Sequence, residues 1–254
     1  MQPPPISQAE IEARISDHLD ELLQLWWAEQ GASKPRDLEL IASVLPFPHG
    51  EALRVLDLCC GPGDAGRAIQ RLYPNAQIDG IDRDPFLASI CIGVNRRGHV
   101  PGGILVRDLH DDGWAADLAG NYDAVAIVNA LHWFDMSRAR MVLNDVHHLL
   151  ANGGVLVFAE PVSAEAPFAP GFDAWKSKQP PRYSQENWER FWSRANAILG
   201  YDHTGLLGSR DTNRIDDHLS VAGWVELVIK AGFGSADVFL RDADQVIVGA
   251  VKAT

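Results

Sequence analysis

Apolar side chains recur along this chain with more than one period, and the changes of period divide it into parts. Over residues 7–29, Ile11, Ile15, Leu19, Leu22, Leu23 and Trp26 fall at helical spacing behind a Ser7/Glu10 pair that matches a capping box. This predicts one helix over 7–29, which either packs on the body or covers an active-site mouth. From Leu53 onward, short apolar runs alternate with helical stretches. The runs at 54–58, 77–81, 103–106, 122–128 and 155–159 predict strands, and 65–73, 85–95, 114–119 and 137–150 predict helices. Such alternation builds a parallel sheet with helices on both faces. Near the end it stops. A helix over 216–231 closes at Gly232, and two strands, 236–241 and 245–251, are joined only by Asp242-Ala243-Asp244. A loop that short forces an antiparallel hairpin. The expected fold is α/β and doubly wound, with a seven-stranded, mostly parallel sheet, an antiparallel C-terminal strand and helical lid segments.

Residues 161–214 interrupt the alternation. Pro161, Pro167, Pro170, Pro180 and Pro181 precede a helix over 184–199 that sets Trp188, Phe191, Trp192 and Ala195 on one stripe. An insertion of this length is functional or disordered, and its tryptophans argue against disorder. The division expected is one domain over 1–254: an N-terminal helical cap (1–50), a core (51–160), a lid insertion (161–215), and a final helix with the hairpin (216–254).

Composition narrows the function classes. Of 254 residues, 46% are hydrophobic and 22% charged, which is ordinary for a globular chain, and the formal net charge is −12. That field repels phosphate backbones and anionic membrane surfaces, so neither nucleic acid nor membrane is an expected partner. No apolar run reaches the ~18 residues of a membrane helix. Cys59, Cys60 and Cys91 have neither metal-ligand spacing nor a disulfide framework, so no metal is expected and a reducing, cytoplasmic setting fits. The Met-Gln-Pro-Pro-Pro start does not read as a secretory signal.

The candidate chemistry begins at Val55-Leu56-Asp57-Leu58-Cys59-Cys60-Gly61-Pro62-Gly63-Asp64-Ala65-Gly66. The chain must turn sharply from strand to helix there, and its backbone must approach a ligand closely. Gly61-x-Gly63-x-x-Gly66 also fits a dinucleotide fold. Asp57, however, would face a pyrophosphate with like charge, and Pro62 removes one N–H from a phosphate cradle. A phosphate-free ligand bearing an ammonium group, such as S-adenosylmethionine, fits better. Asp82 ends the next strand, about 20 residues on, where a carboxylate accepts ribose hydroxyls. Arg83, Asp84 and Phe86 follow it, on the adenosine side. After the third strand, Asp108 can accept from an adenine amino group, with Leu109 and Trp114 beside the ring.

With these motifs in this order, the chain resembles the class I S-adenosylmethionine-dependent methyltransferase superfamily, closest to its small-molecule branch. The resemblance covers roughly 53–161 and the C-terminal hairpin. It implies that Asp57, Asp82 and Asp108 meet the methionine, ribose and adenine parts of the cofactor. It also implies that Cys59, Gly61 and Gly63 form the turn beneath it, and that Asn129 lines the methionine pocket. Cys59 stands where the family has its first motif glycine. The family sheet likewise ends in a reversed strand.

On the acceptor side, the fourth strand runs into Asn129-Ala130-Leu131-His132-Trp133-Phe134, which lacks the Asn-Pro-Pro-aromatic motif of nucleobase and glutamine methylation. His132 and Glu160 are the candidate bases, needed only if the acceptor must lose a proton. Trp27, Trp133, Trp188 and Trp192 are candidate acceptor contacts, with Trp26 and Trp175 in the same group. Lys176, Lys178, Arg182, Arg190, Arg194, Arg210 and Arg214 make the insertion less acidic, so one or two of them can clamp an anion. Small-molecule methyl transfer is the first reading, and a homodimer is left open. An NAD(P)-dependent oxidoreductase would share the glycine run and Asp82, but leaves Asp57 and the hairpin unexplained. A non-catalytic S-adenosylmethionine-binding protein is the third reading.

Overall fold

The computed structural model describes residues 5–29, 34–179, 181–204, 213–216 and 218–253. Seven strands form one sheet in the order β3-β2-β1-β4-β5-β7-β6. They are β1 (Arg54–Leu58), β2 (Gln77–Asp82), β3 (Ile104–Val106), β4 (Tyr122–Val128), β5 (Leu150–Pro161), β6 (Ser235–Asp242) and β7 (Gln245–Val251). The five strands β1 to β5 pair in parallel. β7 alone runs against them, antiparallel to both β5 and β6. The strand order reverses between β1 and β4, so the crevice for a ligand lies outside the carboxyl ends of those two strands.

Alternating side chains commit the sheet to two cores. Leu56, Leu58, Val125, Ile127 and Phe158 pack one face against α6 (Met136–Leu149) and α9 (Val221–Lys230), with Trp224 fully buried. Val55, Ala124, Ala126 and Val157 pack the other face against α3 (Lys34–Ser43) and α4 (Asp64–Leu72). A third cluster joins α1 (Gln8–Ile15) and α2 (Leu19–Glu29) to α5 (Pro85–Gly98) and α8 (Gln185–Leu199), through Ile11, Leu22, Phe86, Phe191 and Trp192. The N-terminal segment and the insertion are therefore locked to each other and to the helix after β2.

Several elements differ from the sequence expectation. The 7–29 helix is broken by a 3₁₀ turn at Ser16–His18. In place of the helix expected over 114–119, turns run through residues 112–117, with Ala116 N donating to Gly113 O and Leu118 N to Ala115 O, and the Trp114 indole N–H donates to Asp145 at 2.8 Å. α3 was hidden by its charged start, and α7 (Ala169–Lys176) by the prolines around it. The last helix starts at Val221, where Ser220 caps it by accepting from Gly223 N at 3.1 Å. β5 starts five residues earlier than its apolar run, at Leu150.

Candidate active site

The turn after β1 concentrates left-handed backbone. Cys59, Gly61 and Gly63 have φ of +57°, +51° and +85°. Its glycines are needed for different reasons. A Cβ on Gly63 would lie 2.5 Å from Cys91 Sγ of α5, and one on Gly66 would lie 2.6 Å from Ile78 Cγ2 of β2. Both serve close packing of helices and strands. A Cβ on Gly61 would meet only the Trp26 ring, at 3.7 Å, so this backbone is left open as a cradle. Trp26 reaches it from α2, donating its indole N–H to Asp64 Oδ2 at 2.8 Å. Its helical spacing marked Trp26 as apolar, but nothing in the sequence announced this bond across 38 residues.

Asp57 and Asp82 are both buried and both tie the turn. Asp57 Oδ2 accepts from Gly66 N at 2.8 Å, while burial pushes its carboxyl up to about 7. The Lys34 ammonium, itself buried, is held near Asp64, Glu29 and Asp57, and burial lowers its pKa. Asp82 Oδ2 accepts from Gly61 N at 2.7 Å and Oδ1 from Asp84 N at 2.8 Å. Burial, then the neighbouring Asp84, push Asp82 up to about 6. Arg83 is half-buried beside it.

Past β3, Asp108 Oδ1 accepts from His110 N at 3.0 Å and lies 2.9 Å from His110 Nδ1. The His110 ring packs on Phe134, with centroids 4.8 Å apart, and so joins this loop to the one after β4. Leu109 and Trp114 are core residues, 3% and 4% exposed. Their faces are taken up by the sheet-side cluster rather than opened to a ring. Asn129 ends β4 in left-handed backbone, φ +54°, and its Oδ1 accepts from Gln245 Nε2 of β7 at 2.9 Å. Gln245, buried at the start of the reversed strand, was not foreseen. Its partner lies 116 residues away.

The two candidate bases come together. Glu160, with no exposure at all, ends β5; its Oε1 accepts from Ala130 N at 2.9 Å and Leu131 N at 2.7 Å. Its Oε2 lies 2.7 Å from His132 Nδ1. An ionised carboxylate only accepts, so Nδ1 carries the proton and Nε2 keeps a lone pair. Among the described residues, Nε2 has no hydrogen-bond partner. Trp133, 45% exposed, lies beside the imidazole with centroids 5.3 Å apart, and Arg214 covers its ring at 4.5 Å.

The other tryptophans divide. Trp188 is half-buried against Trp26, at 6.5 Å between centroids. Trp27 packs toward the α3/α4 core, and Trp175 is exposed beside Phe172. Trp192 is a packing residue, 4% exposed among Phe86, Phe191 and His203. The insertion's cations are largely matched. Arg182 pairs with Asp37, Lys176 with Asp244 at 3.6 Å, Arg194 with Glu21 at 2.7 Å and Arg214 with Asp216 at 3.0 Å. Arg190 reaches Asn187 at 3.4 Å, Lys178 is exposed, and Arg210 lies outside the described residues. Among those described, no group of acids, histidines and cysteines has the arrangement of a metal site, and no helix is long and apolar enough to cross a membrane.

Residues 55–154 match the sequence profile of the family described as a methyltransferase domain. No curated protein matches the chain. Solved structures share its fold at low identity. A candidate O-methyltransferase from Nostoc punctiforme superposes with a TM-score of 0.59 at 21% identity, over 85% of this chain and 56% of its own. An O-methyltransferase family protein from Burkholderia thailandensis gives 0.59 at 17%, over 87% and 56%. Human N-acetylserotonin methyltransferase, solved with S-adenosylmethionine, gives 0.54 at 16%, over 98% and 61%. The chain thus spans 56–61% of the length of these structures.

Proposed function

We propose that the chain is a class I S-adenosylmethionine-dependent methyltransferase, a reading supported by the methyltransferase-domain match over residues 55–154 and the shared fold, and that it methylates a hydroxyl of a small, uncharged acceptor, with His132 as general base and Glu160 orienting it. The observation that carries this reading is the 2.7 Å contact of His132 Nδ1 with fully buried Glu160, which leaves Nε2 as the basic nitrogen at the carboxyl end of the sheet.

The donor set fits the cofactor. Each Asp82 oxygen accepts one backbone N–H and keeps lone pairs for ribose hydroxyls. The Gly61 backbone is open, and Asp57 lies beneath the turn where an ammonium group would favour its ionised form. Asp82 would hold the ribose, Asp108 the adenine edge, and Asn129, fixed by Gln245, the methionine end. Bound there, S-adenosylmethionine supplies an activated methyl group on a sulfonium. His132 Nε2 takes the hydroxyl proton as the acceptor oxygen becomes nucleophilic, and Glu160 steadies the imidazolium that forms. Trp133 and Trp188 would bound the acceptor and exclude water. The matched cations of the insertion favour an uncharged acceptor over an anionic one.

The test is a panel of phenols, alcohols, amines and carboxylic acids offered with methyl-labelled S-adenosylmethionine, and products located by mass spectrometry. Label on a hydroxyl oxygen, lost by about 100-fold or more in His132→Ala, is the expected result. Transfer to nitrogen or carbon at undiminished rate in His132→Ala would refute the assignment.

A further inference from the structure

One buried histidine belongs to neither the dyad nor the expected site. His203 lies in the insertion just beyond α8, 1% exposed, with its ring stacked on Trp192 at 5.9 Å and 20°. Its backbone N–H donates to Asn196 Oδ1 at 2.8 Å. Its Nε2 sits 2.7 Å from Asp84 Oδ1, across 119 residues of chain, and Tyr201 Oη lies 3.3 Å from Nδ1. With the tyrosine donating to Nδ1, the tautomer protonated at Nε2 donates to Asp84.

Asp84 is also the N-cap of α5, its Oδ1 accepting from Phe86 N at 2.8 Å and Leu87 N at 3.4 Å. Its own N–H donates to Asp82 Oδ1, and Asp82 Oδ2 accepts from Gly61 N. A continuous buried chain therefore runs from the insertion, through His203, Asp84 and Asp82, into the glycine turn. Asp84 is 2% exposed and its Oδ2 has no partner, so the donors on Oδ1 carry the whole of its satisfaction. Removing one leaves a buried carboxylate under-satisfied, and the short loop from Asp82 to Asp84 is where it would relax.

We propose that His203 is a positioning residue for the cofactor: it fixes Asp84, and through it aims Asp82 at the ribose, so that seating of the insertion and capture of the nucleoside are coupled. This rests on the reading that Asp82 takes the ribose hydroxyls. A histidine that only filled core would change stability and leave affinity alone.

Calorimetric titration of the full chain with S-adenosylhomocysteine, beside melting temperatures of the ligand-free protein, separates these. His203→Ala is expected to weaken binding about 10-fold, as is Asp84→Ser, which keeps an N-cap oxygen too short to reach His203. The double variant is expected to lose no more than either alone, because both cut one chain. His203→Gln, whose amide can still donate, restores most of the affinity and carries the test if His203→Ala does not fold. Wild-type affinity in His203→Ala, or losses that multiply to about 100-fold in the double variant, would overturn the coupling. Asp82→Asn distinguishes the two levels. If it binds like wild type, the ribose reading falls and the coupling with it. If it loses binding while His203→Ala does not, the coupling alone falls.

Discussion

Glu160 Oε2 and His132 Nδ1 lie 2.7 Å apart although 28 residues separate them, because β5 delivers the carboxylate beneath the turn that ends β4. The same carboxylate accepts from the backbone N–H groups of Ala130 and Leu131, so its position is fixed before any ligand arrives. Glu160→Gln keeps a carbonyl for those two donors but presents an NH₂ to Nδ1. The imidazole must then carry its proton on Nε2, where the base is needed. The expected outcome is a fall in kcat of about 100-fold or more, with S-adenosylhomocysteine affinity within about 2-fold of wild type. Unchanged turnover in single-turnover assays would remove the dyad from the mechanism.

Cys59 sits at φ +57°, in left-handed backbone, with its side chain packed against the edge of the sheet-side core. Left-handed backbone costs a non-glycine residue about 1–2 kcal/mol, partly offset by the entropy that glycine loses on folding. Cys59→Gly should therefore stabilise the ligand-free chain by about 0.5–1 kcal/mol, a rise in Tm of about 1–4 °C. A lower Tm would mean that the Cys59 side chain contributes packing against the sheet-side core that outweighs the backbone term.

The fold was largely legible because the local signals agree with it. β1, β2, β4 and the hairpin are short apolar runs bounded by turn residues, and all lie within a few residues of where the pattern put them. The reversed strand followed from a loop of three residues. Asp57, Asp82 and Glu160 were legible as acids at strand ends, since that is where an α/β sheet presents its ligand crevice. What stayed hidden is long-range. Trp26 to Asp64, Gln245 to Asn129 and His203 to Asp84 are each made by chain segments far apart in sequence, and no periodicity encodes which polar groups will meet. Trp192 shows the converse error: a helical stripe of aromatic residues tells that a face is buried, not whether a ligand or another helix buries it.

Gly63 and Cys91 are tied by sterics. A Cβ on Gly63 would stand 2.5 Å from Cys91 Sγ, and the glycine's φ of +85° adds a backbone cost. Gly63→Ala is expected to destabilise the chain by about 2–3 kcal/mol. Cys91→Ala removes the clashing sulfur and leaves the backbone term. In the double variant about 1 kcal/mol or more of the loss should return as a favourable coupling, read from urea unfolding of all four proteins. Strict additivity would show that backbone strain, not the sulfur, dictates the glycine.

The buried acids make stability and ligand affinity run in opposite directions with pH. Asp57 and Asp82 have folded-state values of about 7 and about 6, both raised above the ordinary 3.8 by burial. Over the interval between, the folded chain holds protons that the unfolded chain has released. Their contribution is thus fully present below about pH 4 and lost as pH rises through about 6–7. Ligand-free protein should lose stability toward denaturant between about pH 5 and pH 8, and Asp57→Asn should flatten part of that slope. Affinity follows the opposite sign. The ionised carboxylates are the forms that accept from ribose hydroxyls and face an ammonium group, so S-adenosylhomocysteine should bind more tightly as pH rises through the same window. If affinity were flat across about pH 5.5–8, or fell there, neither acid would be meeting the cofactor in its charged form, and the polar contacts assigned to Asp57 and Asp82 would have to be given up.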